Sequence, residues 1–215
     1  MSNKKSANRP ATGIITALFI LSLVTSVTIW WKFTWPVLSG VSLTSHEGHI
    51  AIIFTHTLGG TFMLGAWGLA LYIGWTKRWR KWHKAIGYSY FGAGSIGALT
   101  ALALSIMFDH TPLSLGVATG TLSLVWLAFA GMALRAVLNK RFDSHREWVI
   151  RSYVVSWTFV GCRLAQEMPL FNYLGEEGVT AGIWLYWIMP ILICEIAIQW
   201  KHGSKIQVAP VNNAQ

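Results

Sequence analysis

Charge is scarce in this chain. Asp, Glu, Lys and Arg make up 12% of its 215 residues, about half the ~25% of soluble domains. That shortage excludes a large soluble enzyme and a disordered chain, both of which depend on solvated charge. Cysteine is scarcer still, with only Cys162 and Cys194. Two thiols exclude a disulfide scaffold, and neither belongs to a C-x-x-C pair or a zinc pattern. Both sit in apolar runs, in opposite halves of the bilayer on the map below. Their Cα atoms should stand more than about 7 Å apart, too far for a disulfide. They read as buried small apolar side chains. The sequence has 20 Gly and 6 Pro, too few for a collagen-like repeat.

What is present is apolar: 53% hydrophobic residues, with 13 Trp. Six runs are long enough to cross a ~30 Å hydrocarbon core as helices, at about 12–31, 50–75, 85–108, 113–138, 148–170 and 180–200. None has the period-2 alternation of a barrel strand. The first is longer than the ~7–15 residues of a signal-peptide core and ends in Trp30 and Trp31, so it reads as a retained span. The expected fold is all-α, an integral membrane bundle of six transmembrane helices. Residues 1–11 form a basic tail, 12–200 the transmembrane domain and 201–215 a second tail. No polar piece is long enough for a soluble catalytic domain, so any chemistry lies within or against the bilayer.

The net charge is +9, from 17 Lys+Arg against 8 Asp+Glu. In a soluble protein that would suggest nucleic acid. Here the cations stand between apolar runs, so no nucleic-acid partner is expected. The partner is the lipid bilayer, with anionic lipid at the cytoplasmic face. Lys4, Lys5 and Arg9, then Lys77, Arg78, Arg80, Lys81 and Lys84, then Lys140, Arg141 and Arg146, then Lys201 and Lys205 all fall on one side. The other side has Lys32 and the acids Glu47, Asp109, Glu176 and Glu177. The asymmetry predicts that both termini are cytoplasmic. Trp30, Trp31, Trp35, Trp75, Trp79, Trp82, Trp148, Trp184 and Trp200 fall near the interfaces, as aromatic belts do.

Gly116 and Gly120 make a G-x-x-x-G, and Ala93/Gly97 and Gly94/Ala98 are small-x-x-x-small pairs. Such surfaces let helices, or a flat cofactor, approach closely in lipid. Gly92 to Gly97 also spells G-x-G-x-x-G. The dinucleotide fingerprint needs a strand before it and a helix opening at it. This copy lies mid-span, so no nucleotide site is expected.

Ionisable groups inside a bilayer are expensive and point to function. They are His56, Arg163, Glu167 and Glu195, with His83, His145 and Arg151 near the cytoplasmic edge. Ser144 to Glu147 reads S-x-x-E, a capping box that would start the fifth helix at His145. On that helix His145, Ser152, Ser156, Arg163 and Glu167 share one stripe. Arg163 and Glu167 form an i, i+4 pair, and Arg163 could also hold a propionate, a quinone oxygen or a substrate carboxylate. On the second helix His49, His56, Gly60, Met63 and Trp67 share a face. His56 could be a neutral ring hydrogen-bonded to a neighbouring helix, or it could ligate haem iron, with Gly60 one turn away leaving room for a porphyrin. His83 and His145 each open a span and are each followed by a cation. Two such histidines at one depth are what a bis-imidazole b-type haem needs, with the cations on its propionates; as residues that open their helices they could instead be polar groups meeting lipid phosphate. On the outer side His46, His49, His56 and His110 cluster at one level. His202 falls in the C-terminal tail, outside this reading. No metalloprotease, P-loop or nucleophile-elbow motif is present.

The stretch from His56-Thr-Leu-Gly-Gly60 through Lys81-Trp-His-Lys-Ala-Ile-Gly-Tyr-Ser-Tyr90, followed by His145-Arg-Glu-Trp-Val-Ile-Arg-Ser-Tyr153 and Arg163-Leu164, resembles a bacterial family of membrane proteins catalogued as domain of unknown function 2306. Lys84 stands where that pattern has Arg, and Val149 where it has Met. The resemblance implies a six-helix, multi-pass protein of the inner (plasma) membrane and supplies no activity. A looser similarity links the layout to transmembrane di-haem cytochromes b such as the ascorbate-dependent ferric reductases. That similarity implies His83 and His145 as the cytoplasmic pair and His56 as one outer ligand, with His110 as the nearest candidate partner. Two functions follow as expectations. One is a haem b electron-transfer protein or membrane reductase, exchanging electrons with a quinone or another redox protein. The other is a haem-free small-solute transporter or accessory subunit of a membrane complex.

Overall fold

The structure is a computed structural model that describes residues 9–39, 49–107, 112–166 and 168–206. Among these residues the only regular structure is helix, joined by short turns, with no strand. The elements are α1 (Arg9–Ile29), a π-helical turn (Trp30–Thr34), α2 (Trp35–Leu38), α3 (Ile50–Thr76), α4 (Arg80–Met107), α5 (Leu113–Leu138), α6 (Phe142–Gln166) and α7 (Pro169–Ile206). Among the described residues, five segments are long and apolar enough to cross a membrane: Thr12–Lys32, Ile50–Thr76, Arg80–Met107, Leu113–Leu138 and Tyr173–Gly203. The protein is therefore a multi-pass membrane protein. The sequence predicts a sixth span within α6. That helix is long enough at 25 residues, but Asp143, His145, Arg146, Glu147, Arg151 and Arg163 lower its apolar content.

Local chemistry explains the irregular points. At the end of α1 the Trp35 N–H bonds to Trp30 O, an i to i−5 bond. Pro36 follows. A proline ring clashes with the carbonyl four residues back in a regular helix, and a widened π turn relieves that crowding. α3 ends on Lys77, which takes a left-handed conformation with its N–H on Ile73 O. α5 ends in a Schellman closure around left-handed Lys140, where Lys140 N–H reaches Val137 O and Arg141 N–H reaches Ala136 O. Helix restarts immediately, at Phe142. Ser144 and Glu147 therefore lie inside α6, and the expected capping box at its start is corrected. In α7, Gly175 (φ 57°, ψ −136°) interrupts the helix with a conformation open to glycine. Pro190 lies further along the same helix.

The chain divides into two compact units, 1–127 and 128–215. In the first, small residues bring the helices together. A Cβ added at Gly59 would stand 2.9 Å from Ala93 O and 3.0 Å from Gly97 N. The backbones of α3 and α4 therefore touch. Gly94 receives the Trp126 ring and Met63, and Tyr90 meets Trp126 edge-on at 5.5 Å. The Gly116/Gly120 pair packs on Ser105 of α4, with a Cβ at Gly116 placed 2.9 Å from Ser105 O. Gly94 and Gly97 of the G-x-G-x-x-G stretch thus serve packing inside α4. α1 leans on α3 through Ser22 and Phe19 against Gly68, and buried Ser26 donates a 2.7 Å hydrogen bond to Thr61 O. In the second unit α6 lies along α7, and Gly161 receives the Tyr186 ring.

Candidate functional site

His56 stands half-buried on α3, on the face that buries Met63 and Trp67. Its Nδ1 lies 2.8 Å from Gly97 O of α4. A carbonyl oxygen only accepts, so Nδ1 must donate. A neutral ring then carries its lone pair on Nε2. A backbone carbonyl on one ring nitrogen is also what orients a metal-ligating imidazole. Gly60, one turn on, has open space where a Cβ would be. The same His-x-x-x-Gly spacing recurs at His83 and Gly87, and Gly87 is likewise open.

His83 lies in the first turn of α4, folded against α3. Its Nδ1 is buried, and its Cε1 would stand 3.2 Å from a Cβ at Gly74. In the other unit His145 lies in the first turn of α6, half-buried, with Nδ1 2.8 Å from Ala133 O of α5. The donor argument made for His56 applies here too. Ser152 and Ser156 of the expected stripe are fully buried on α6, and their hydroxyls bond to Val149 O and Ser152 O. Arg163 belongs to α6, but its side chain lies outside the described residues, as do Glu167, His46 and His110. His49 sits in the turn before α3.

Among the described residues of the second unit, two charged contacts join α6 to α7. Arg151 of α6 donates from Nε and Nη2 to the same oxygen, Oε2 of Glu195 on α7, at 2.9 and 2.7 Å. Gln199 Nε2 holds the other oxygen at 2.9 Å, and the Arg151 guanidinium lies 4.8 Å from the Trp148 ring centroid. His202 Nε2 is 2.7 Å from Glu147 Oε1. Glu147 and Arg151 stand at i, i+4 on α6, and Glu195, Gln199 and His202 at i, i+4, i+7 on α7, so each set shares a face, but that spacing does not say which face meets which. His202 therefore belongs to the helix pair and not to a free tail.

The family described as "Predicted membrane protein (DUF2306)" matches residues 53–198. The chain belongs to it. The match spans α3 to α6 and most of α7, so His56, His83, His145, Arg151, Arg163 and Glu195 all lie inside the DUF2306 region. No curated protein and no solved structure matches the chain, and the looser likeness to di-haem cytochromes b gains no support from either comparison.

Proposed function

We propose that this DUF2306 protein is a b-type haem electron-transfer protein of the plasma (inner) membrane. In this reading α6 crosses the bilayer with the other five spans, and both termini are cytoplasmic. His83 and His145 are the candidate axial ligands on the cytoplasmic side, and His56 is a candidate on the outer side. Arg163 is the candidate partner of a propionate. The observation that carries the reading is the setting of the imidazoles. His56 and His145 each give Nδ1 to a backbone carbonyl at 2.8 Å, the contact that orients an imidazole which ligates a metal through Nε2. Gly60 and Gly87, each one turn from a histidine, leave open space where a flat ring could lie. Haem would supply one-electron chemistry when bound. The chain's part is to fix the orientation of the rings and keep water out of the helix contacts. The donor and acceptor would be a quinone or another redox protein.

The test is a dithionite-reduced minus oxidised spectrum of the full chain, purified from haem-replete cells. A b-type spectrum is expected. His83→Ala and His145→Ala should each remove or shift it, while His49→Ala should leave it unchanged. Colourless protein overturns the reading. One observation favours a haem-free alternative, a small-solute transporter or accessory subunit: Arg151, Glu195 and Gln199 form a polar chain that reaches into a candidate span.

A further inference from the structure

Between α3 and α4 the chain turns in only three residues, Lys77 to Trp79. Five cations crowd this elbow and the turn after it: Lys77, Arg78, Arg80, Lys81 and Lys84. No acid lies between Ile50 and Met107. Two tryptophans sit among the cations, and both are well exposed, Trp79 at 55% and Trp82 at 55%. The cations stand over rings. Arg78 lies 5.8 Å from the Trp79 centroid, Lys81 5.8 Å from Trp82, and Lys84 5.9 Å from Tyr88. The backbone is committed to this arrangement. Lys77 and Trp79 both have positive φ, 59° and 54°, a conformation costly for side chains of this size. Trp79 also packs on Tyr72 of α3, with ring centroids 6.2 Å apart, and Tyr72 in turn meets Phe19 of α1.

We propose that this elbow is a binding site for the phosphate of an anionic phospholipid, with Trp79 and Trp82 seated at the headgroup level and Arg78, Lys81 and Lys84 taking the charge. The elbow joins two spans, so it meets the membrane surface by construction. Exposed indole beside cation, in a stretch of sequence that holds no acid, fits a layer that is apolar on one side and anionic on the other. A cation already parked over a ring loses less freedom when it meets a phosphate. A general excess of positive charge would need neither the rings nor the strained turn. The proposal rests on the membrane-spanning reading of α3 and α4 and is independent of haem.

The experiment is native mass spectrometry of the full chain released from phosphatidylcholine nanodiscs doped with phosphatidylglycerol, counting retained phosphatidylglycerol. Neutralising Arg78→Gln with Lys81→Gln should cut retention roughly tenfold. Lys140→Gln with Arg141→Gln, the same charge change at another loop, should leave it near the starting value. Trp79→Leu with Trp82→Leu keeps every cation and should still weaken retention severalfold. Equal loss from both charge pairs, or no loss from the tryptophan pair, overturns the site in favour of bulk charge. Displacement of the lipid by millimolar inorganic phosphate overturns the lipid as the source of the anion. If a double variant fails to give helical, monodisperse protein, Arg78→Gln and Lys81→Gln are read singly against Lys140→Gln, with the same outcomes.

Discussion

Arg151 and Glu195 tie α6 to α7 through a single carboxylate oxygen, which accepts from both Nε and Nη2 of the guanidinium. Gln199 occupies the other oxygen. Removing one partner leaves the other charge without its counterion where water is poor. The Arg151 side chain is 11% exposed and that of Glu195 40%, so the loss should fall below the 3–5 kcal/mol of a fully buried pair. Arg151→Met should cost about 1–3 kcal/mol, read as earlier thermal unfolding in detergent. Arg151→Met with Glu195→Leu should recover most of that loss. An equal or larger loss in the double variant would contradict the pairing.

The His202–Glu147 contact is the gentler tie, with side chains 43% and 31% exposed. His202→Ala should cost under about 1 kcal/mol. High salt should shrink that difference, whereas the Arg151→Met loss should persist. Guanidine-free thermal melts at two ionic strengths separate the two behaviours.

Two neighbouring glycines should respond differently to one methyl group. At Gly59 the new Cβ meets the α4 backbone at 2.9–3.3 Å, while at Gly60 it meets nothing within 4 Å. Gly59→Ala should therefore destabilise by about 1–3 kcal/mol, because two backbones must part. Gly60→Ala should be neutral or gain up to about 1 kcal/mol from helix propensity. Gly60→Leu keeps the fold and fills the open space, so in the haem reading it should lower haem content without lowering helicity.

Ser26 reaches across from α1 to Thr61 O at 2.7 Å in a buried setting. Ser26→Ala should lose about 0.5–1.5 kcal/mol, the usual range for a hydrogen bond between membrane helices. Protease protection of α1 in the intact chain is the sensitive readout.

Lys140 pays for its left-handed backbone at the end of α5. Lys140→Gly should stabilise by about 0.5–1 kcal/mol, since glycine takes that conformation without a Cβ clash. A loss in thermal midpoint would mean that the lysine side chain, not the backbone, holds the turn.

Hydrophobic runs located the helices better than they located the helix ends. The runs at 50–75 and 113–138 match α3 and α5 within a residue. The run at 85–108 missed the first turn of α4, because Arg80 to Lys84 are helical yet polar. At α6 the S-x-x-E signal was local and lost to the Schellman closure at Lys140, which hands the chain straight into the next helix. The single-helix stripes were readable because 100° per residue is fixed. The Arg151–Glu195 and His202–Glu147 pairs were not, because spacing on one helix does not say which residues of another helix face it. His56 and His145 were visible as candidates. The carbonyls that orient them, Gly97 O and Ala133 O, were not, since every residue of a helix carries one.

The contact of Gly59 with Ala93 and Gly97 works like a key in a lock, because it admits one register between α3 and α4. An extra residue inserted just after it, between positions 61 and 63, would rotate the rest of α3 by about 100° and carry Met63 and Trp67 off their packing face. The same insertion at Lys77 to Trp79 would leave the lock closed. Length variation in this part of the chain should therefore collect at the elbow, and the two helices on either side should keep their lengths.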